Sequence, residues 1–294
     1  MTRAVLGIIG GSGVYDLPGV AEARWETVET PWGAPSDQIR VGLIGALKIA
    51  FLPRHGRGHR LSPSAINYRA NIDALKRLGV TDVVSVSACG SLNDDLPPGM
   101  LVVVDQFIDR TFARAKTFFG EGCVAHVSMA DPVSPLLADR IARAAAAEGI
   151  PHRRGGTYVA IEGPQFSTRA EARMHRAWGA DVVGMTNMPE AKLAREAELC
   201  YAALAMVTDH DCWRPDYGTS SVDEIVRVVV DNADKVRRVL LRLAGDFPAE
   251  HEPCPIGSDR SLDHALITAV GSRDPDLVAR LDAVAGRVLR GRSA

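Results

Sequence analysis

Thr208-Asp209-His210-Asp211 closes an apolar run, Cys200–Val207, with the composition of a fully buried strand. Strand side chains alternate faces, so Asp209 and Asp211, two apart, point the same way if the extended geometry continues. Paired carboxylates there could accept hydrogen bonds from a ligand or pass it a proton. Simple packing explains them poorly, because buried charge needs a partner. In open α/β sheets the carboxyl ends of strands are where ligands bind. A turn or helix cap before Pro215 is the competing reading.

Four further loops or short segments follow apolar runs and carry groups suited to an anion or an aromatic ligand. In Gly10-Gly11-Ser12-Gly13, close glycines let backbone N–H groups approach an anion and a hydroxyl adds a donor. It is neither GxGxxG nor a P-loop, so a tight turn fits it equally well. Arg54-His55-Gly56-Arg57-Gly58-His59 is basic and glycine-rich, and arginine can form bidentate bonds to phosphate. Its histidines four apart could suggest zinc, but the glycines oppose a helix and no HExxH glutamate is present. A solvated surface loop remains open. Ser87-Ala88-Cys89-Gly90-Ser91 is small enough for close backbone approach. Glu162-Gly163-Pro164-Gln165-Phe166-Ser167 offers a stacking aromatic, a carboxylate and hydrogen-bonding side chains, although Phe166 could pack under its own helix. Together these segments suit a ligand with a flat heteroaromatic group and a separate phosphate.

The elements that must hold these loops alternate as in α/β proteins. Strands are expected at Ala4–Ile9, Gln38–Ile44, Leu47–Leu52, Asp82–Ser87, Leu101–Val104, Thr157–Ile161, Val182–Met185 and Tyr201–Val207. Ser62-Pro63 opens a helix to about Leu78, and Ser134-Pro135 opens Leu136–Glu148. Thr168–Glu171 and Ser221–Glu224 fit the capping box. Pro189–Glu198 and Val222–Leu243 are also helical. The connector Gly245–Gly257 leads to two amphipathic helices, Ser261–Val270 and Asp276–Leu289. The expected fold is α/β, one domain with a central mixed sheet flanked by helices over residues 1–245, and a C-terminal helical extension over 246–294.

With 294 residues, 24% charged and net charge −2, the chain has the composition of an ordinary globular protein and no electrostatic footprint for nucleic acid or an anionic membrane. No run approaches a membrane span, and Ala4–Ile9 is too short for a signal peptide. Five cysteines without a CxxC pair suit buried free thiols in a reducing cytoplasm.

GIIGGSG, RHG, SPSAINYRANIDALK, SACGS, DQFIDRT, AIEGPQFSTRAE, GMTNMPE and TDHDCW occur in an order that resembles the purine nucleoside phosphorylase superfamily, and within it most closely the S-methyl-5'-thioadenosine phosphorylase family. The resemblance covers roughly residues 4–244. It implies a homotrimer or dimer of trimers that uses inorganic phosphate to cleave methylthioadenosine into adenine and 5-methylthioribose 1-phosphate, with no metal or organic cofactor. It implies further that Ser12, Arg54, His55, Ser87 and the Ala88 backbone hold phosphate, with Thr186 nearby. Phe166 and Ser167 would wall the base, Met185 would lie under the ribose, and Asp209 and Asp211, beside Thr208, would face purine N7 and the 6-amino edge. Val222, Ile225 and Val226 would form the apolar 5' pocket, joined by His126 from a neighbouring subunit. Ser12 and Ser87 stand where many relatives have threonine, which keeps the hydroxyl. His210 replaces a common tyrosine and should face away by alternation. Of the cysteine-rich C-terminal motif of archaeal relatives only Cys254 remains, so no disulfide is expected.

Overall fold

The computed structural model describes residues 2–11, 17–214 and 222–290, without the side chains of 222–226 and 229. In chain order the elements are β1 Val5–Gly10, β2 Ala21–Glu26, β3 Ile39–Ile44, β4 Leu47–Pro53, α1 Tyr68–Arg77, β5 Asp82–Ser91, β6 Leu101–Val104, β7 Gln106–Asp109, α2 Pro135–Ala147, β8 His152–Arg154, β9 Thr157–Ala160, α3 Arg169–Ala177, β10 Val182–Gly184, α4 Asn187–Glu196, β11 Cys200–His210, α5 Val222–Gly245, α6 Pro275–Arg280 and α7 Gly286–Arg290. The strands form one mixed sheet. Its apolar faces are covered separately. One packs against α1, α4 and the C-terminal segment through residues such as Ile72, Leu193 and Leu281; the other packs against α2 and α5 through Leu137, Ile141, Val236 and Leu240.

The site depends on how β5 changes neighbours. Its first half pairs in parallel with β1, up to Ile9 opposite Ser85. Its last residues, Gly90 and Ser91, pair antiparallel with β10. On that side Val86–Cys89 are left between the two partners, while the other side pairs with β11 throughout. A strand whose neighbours diverge opens a crevice in the sheet, and ligands bind at such places.

The structure alters several sequence expectations. Ser87–Ser91 is the end of β5, because β11 supplies backbone partners that local composition does not reveal. Ser62 makes no capping bond; Pro63–Ala65 is a single 3₁₀ turn, and α1 starts later with Asn67 accepting from the Ala70 N–H. β2, β7 and β8 carry AEARWE, QFID and HRR, polar strings recruited by pairing and not marked by apolar alternation. Ser261–Val270 is not a helix: short 3₁₀ turns at Ser258–Arg260 and Val270–Ser272 bracket it, and Leu266 pairs with Ala125. The last expected helix divides into α6 and α7, with Leu281, Val284 and Ala285 buried between them. Ser134 and the Thr168–Glu171 capping box act as expected. Ser221 lies outside the described residues. All five cysteines are free, and no described helix is long and apolar enough to cross a membrane.

Candidate active site

A cavity of about 540 Å³ occupies the crevice. Arg54, His55, Ser87, Ala88 and Thr186 line one part, and Phe166, Ser167, Met185, Thr208, Asp209 and Asp211 line the rest. Residues as far apart in sequence as Arg54 and Asp211, 157 positions, therefore meet where β1, β4, β5, β10 and β11 end. Ser12 lies outside the described residues, although Gly11 reaches the cavity wall. Val222, Ile225 and Val226 belong to α5 but their side chains are not described; Val230, one turn further, lines the cavity and is 62% exposed. His126 is exposed, donates its backbone N–H to the Ala265 carbonyl at 2.9 Å, and does not line this chain's cavity.

The anion side rests on a buried ion pair. The Arg54 guanidinium is 1% exposed, with Nε and Nη2 at 2.9 and 3.2 Å from the two Glu190 oxygens. Nη1 donates to the Val86 carbonyl and Nη2 to Ser85 Oγ. Burial opposes the charge, but Glu190 outweighs it and the guanidinium stays protonated. The bidentate fork, expected from sequence to grip phosphate, is thus spent on Glu190, which Tyr201 also holds at 3.0 Å. Arg54 is left to present fixed positive charge and the edge around Nη1, beside Gly11.

His55 Nδ1 lies 2.9 Å from the Leu61 carbonyl, so in the neutral ring Nδ1 carries the hydrogen and Nε2 is an acceptor. Burial, then the Arg54 charge, push its pKa down to about 4. The His59 ring stacks on it at 4.2 Å, an arrangement unlike two ligands converging on zinc. Ser87 Oγ donates to Asn187 Oδ1 at 3.0 Å. Thr186 precedes α4 without bonding its own helix, so its hydroxyl remains available to a ligand.

This histidine makes stability depend on acid. Its folded pKa, about 4, lies below the ordinary 6.5. Between those values the unfolded chain binds more protons, so the contribution is complete above pH 6.5 and is lost as pH falls toward 4. Lowering pH from 7 to 5 should remove about 2 kcal/mol through this group. Denaturant titrations at both pH values should show a smaller loss for His55→Asn. An equal loss would mean His55 does not titrate as described.

On the opposite side, the register of β11 against β5 shifts between Val207 and Asp209, a bulge centred on Thr208. Thr208 Oγ1 lies 3.1 Å from the Cys89 carbonyl and 2.7 Å from Asp209 Oδ1. Bulges re-aim side chains next to sites, and here both Asp209 and Asp211 face the cavity. Close approach is possible because Gly90 opposes them: a Cβ there would lie 3.3 Å from that of Asp211. Burial raises the pKa of Asp209, against the Thr208 bond and with help from Asp211. Burial also raises Asp211, against hydrogen bonds from the Cys212 backbone and the Ser167 side chain. Even so, Asp211 Oδ2 and Ser167 Oγ find no partner of full hydrogen-bond geometry among the described residues. His210 faces away and meets Trp213 edge to face, as alternation requires.

Phe166 is 66% exposed on the cavity wall and does not pack under its helix. Glu162 departs from expectation. Its carboxylate turns out of the cavity to accept from the Phe112 N–H at 2.7 Å and from Ser64 Oγ, so the carboxylates at the site are Asp209 and Asp211. Sequence reading passed over Glu190, and also Arg114, which is buried and donates to the Met185, Met188 and Glu162 carbonyls under the cavity floor. Neither lies in a periodic pattern; the only signal for Glu190 was its place at the end of GMTNMPE. His59, Cys89, Val183 and Met206 also line the wall.

An anion cradle and an aromatic-plus-acidic wall across one crevice of an α/β sheet define an enzyme site for a small two-part substrate. The family model of the phosphorylase superfamily matches residues 5–244, and the chain belongs to that superfamily. An S-methyl-5'-thioadenosine phosphorylase of Bradyrhizobium diazoefficiens is 65% identical over 291 residues, covering 99% of this chain and all of the relative. One of Rhodospirillum rubrum is 61% identical, with 98% of each covered. The crystal structure of a methylthioadenosine phosphorylase from an Antarctic soil metagenomic library superimposes with a TM-score of 0.90 at 47% identity, covering 97% of this chain and 99% of that one.

Proposed function

We propose that the protein cleaves S-methyl-5'-thioadenosine with inorganic phosphate, releasing adenine and 5-methylthioribose 1-phosphate for purine and methionine salvage. The observation that carries this reading is that the Asp209 and Asp211 carboxylates line one cavity together with Arg54, His55 and Thr186. Glycosidic cleavage develops positive charge on the sugar and negative charge on the leaving base. Phosphate held by Arg54, His55, Ser87, the Ala88 N–H, Thr186 and Ser12 attacks from the face opposite the base, so no enzyme carboxylate has to act as nucleophile. Neutral His55 accepts from a phosphate hydroxyl, and the bound anion stabilises the developing cation.

Phe166 and Ser167 wall the base, Met185 lies under the ribose, and Asp209 and Asp211 protonate N7 and accept from the 6-amino group. A 6-oxopurine would set acceptor against acceptor, at a cost of roughly 1–3 kcal/mol, which disfavours an inosine- or guanosine-cleaving enzyme. Val222, Ile225 and Val226, with His126 of a neighbouring copy, complete the 5' pocket in a trimer or dimer of trimers. Residues 1–245 form the phosphorylase domain and 246–294 its extension. The reaction draws on no metal or organic cofactor, and its setting is the cytoplasm.

Release of the free base, adenine from methylthioadenosine and adenosine and hypoxanthine from inosine, measured with and without phosphate, tests the reading. Methylthioadenosine should lead, adenosine should follow more slowly, and turnover should stop without phosphate. Full-rate cleavage in phosphate-free buffer, or equal use of inosine, would overturn it.

A further inference from the structure

At the amino ends of β5 and β11, opposite the catalytic cavity, lies a second cluster of chemically potent side chains. Parallel pairing sets Cys200 beside Asp82. The segment after α5 then crosses this edge and brings His251 against them, its Nδ1 3.0 Å from Asp82 Oδ2. One ligand atom each from Asp82, Cys200 and His251 falls within 4.8 Å of the others. Cys254, three residues past His251, brings a second thiol against that of Cys200. Both thiols are free and buried.

We propose that Asp82, Cys200, His251 and Cys254 form a structural zinc site that clamps the C-terminal segment to the sheet. Two thiolates, an imidazole and a carboxylate are a donor set suited to tetrahedral Zn²⁺, and the thiols exclude the hard cations Mg²⁺ and Ca²⁺. The surroundings of the histidine agree. With Nδ1 turned to the metal, its other nitrogen, Nε2, lies 3.7 Å from Asp259 Oδ2. A carboxylate behind a ligating imidazole fixes its tautomer and orientation. Asp259 is itself anchored, because its other oxygen accepts from the Cys254 N–H at 3.2 Å. His251 and Asp259 are partly exposed, which leaves a path for the ion. Binding would replace the Asp82–His251 hydrogen bond, draw the Cys254 sulfur in from its contacts with Ser134 and Ser258, and release the thiol protons to solvent.

The test uses the full chain, reduced and stripped of metal by a chelator, titrated with Zn²⁺ against a chromophoric competitor and separately with Co²⁺. One Zn²⁺ per chain should bind with Kd below about 1 µM. Co²⁺ should produce a near-ultraviolet sulfur-to-cobalt band that weakens in Cys254→Ser and vanishes in the Cys200→Ser/Cys254→Ser double variant. His251→Ala, a partly exposed position, should fold and bind about 10–100-fold more weakly. Adenine release should be unchanged in all of them. Absence of stoichiometric binding to the reduced protein, or binding that both the double variant and His251→Ala leave intact, would overturn the proposal.

Discussion

Asp209→Asn should lower kcat/KM for adenine release by about 10²–10⁴-fold, the range general acid catalysis supplies. The amide keeps the shape and still meets Thr208, but has no carboxyl proton to give purine N7. Stability should not fall with activity. Burial raises the folded pKa of Asp209, so ionising this group costs the native state free energy at neutral pH. That penalty appears as pH rises through the ordinary carboxylate pKa and is complete above the raised one, and the neutral amide removes it. Wild-type turnover should decline as pH rises through the same raised pKa, because the acid form donates. Asp211→Asn tests the other half of the division. Its amide can donate to a 6-oxo group, so the preference for methylthioadenosine over methylthioinosine should narrow by roughly tenfold, the scale of one corrected polar mismatch. Asp209→Asn turnover within tenfold of wild type would show that N7 protonation does not depend on this carboxyl.

Arg54→Met should destabilise the protein by about 3–5 kcal/mol, the usual cost of leaving one member of a buried ion pair without the other. Glu190 is 1% exposed and would be left with Ser85 and Tyr201 as its hydrogen-bond partners among the described residues. Adding Glu190→Gln to Arg54→Met should restore most of that stability, because the uncompensated charge is gone. Phosphate use should not return, since the fixed positive charge beside Gly11 is still missing. Denaturant titration and the phosphate dependence of adenine release, measured on both variants, separate the two roles. Recovery of normal phosphate saturation in the double variant would show that Arg54 serves the fold alone.

The same pair shows where sequence reading stops. Arg54 could be recognised as a phosphate residue from its basic, glycine-rich loop, but its partner lies 136 positions away. Nothing in the local spacing around Glu190 says that it would neutralise an arginine on another strand. Glu162 is the converse: its loop looked like a source of carboxylate for the site, yet two backbone N–H groups in 112–113 bind it and turn it outward. Hydrogen bonds across such distances depend on which segments the sheet brings together.

Sequence alone determined the α/β class, the long buried strands, the capped starts of α2 and α3 and most of the residues that line the cavity. Those features rest on apolar periodicity, cap chemistry and short motifs, which are local properties of a chain. Only the tertiary structure decided that Ser87–Ser91 is a strand, that Arg54 spends its fork on Glu190, and that a bulge at Thr208 turns both aspartates to one cavity. It also decided that the segment after α5 lays His251 and Cys254 against β5 and β11. Each of these depends on strand pairing and burial between distant segments, and neither is encoded in any short window of residues.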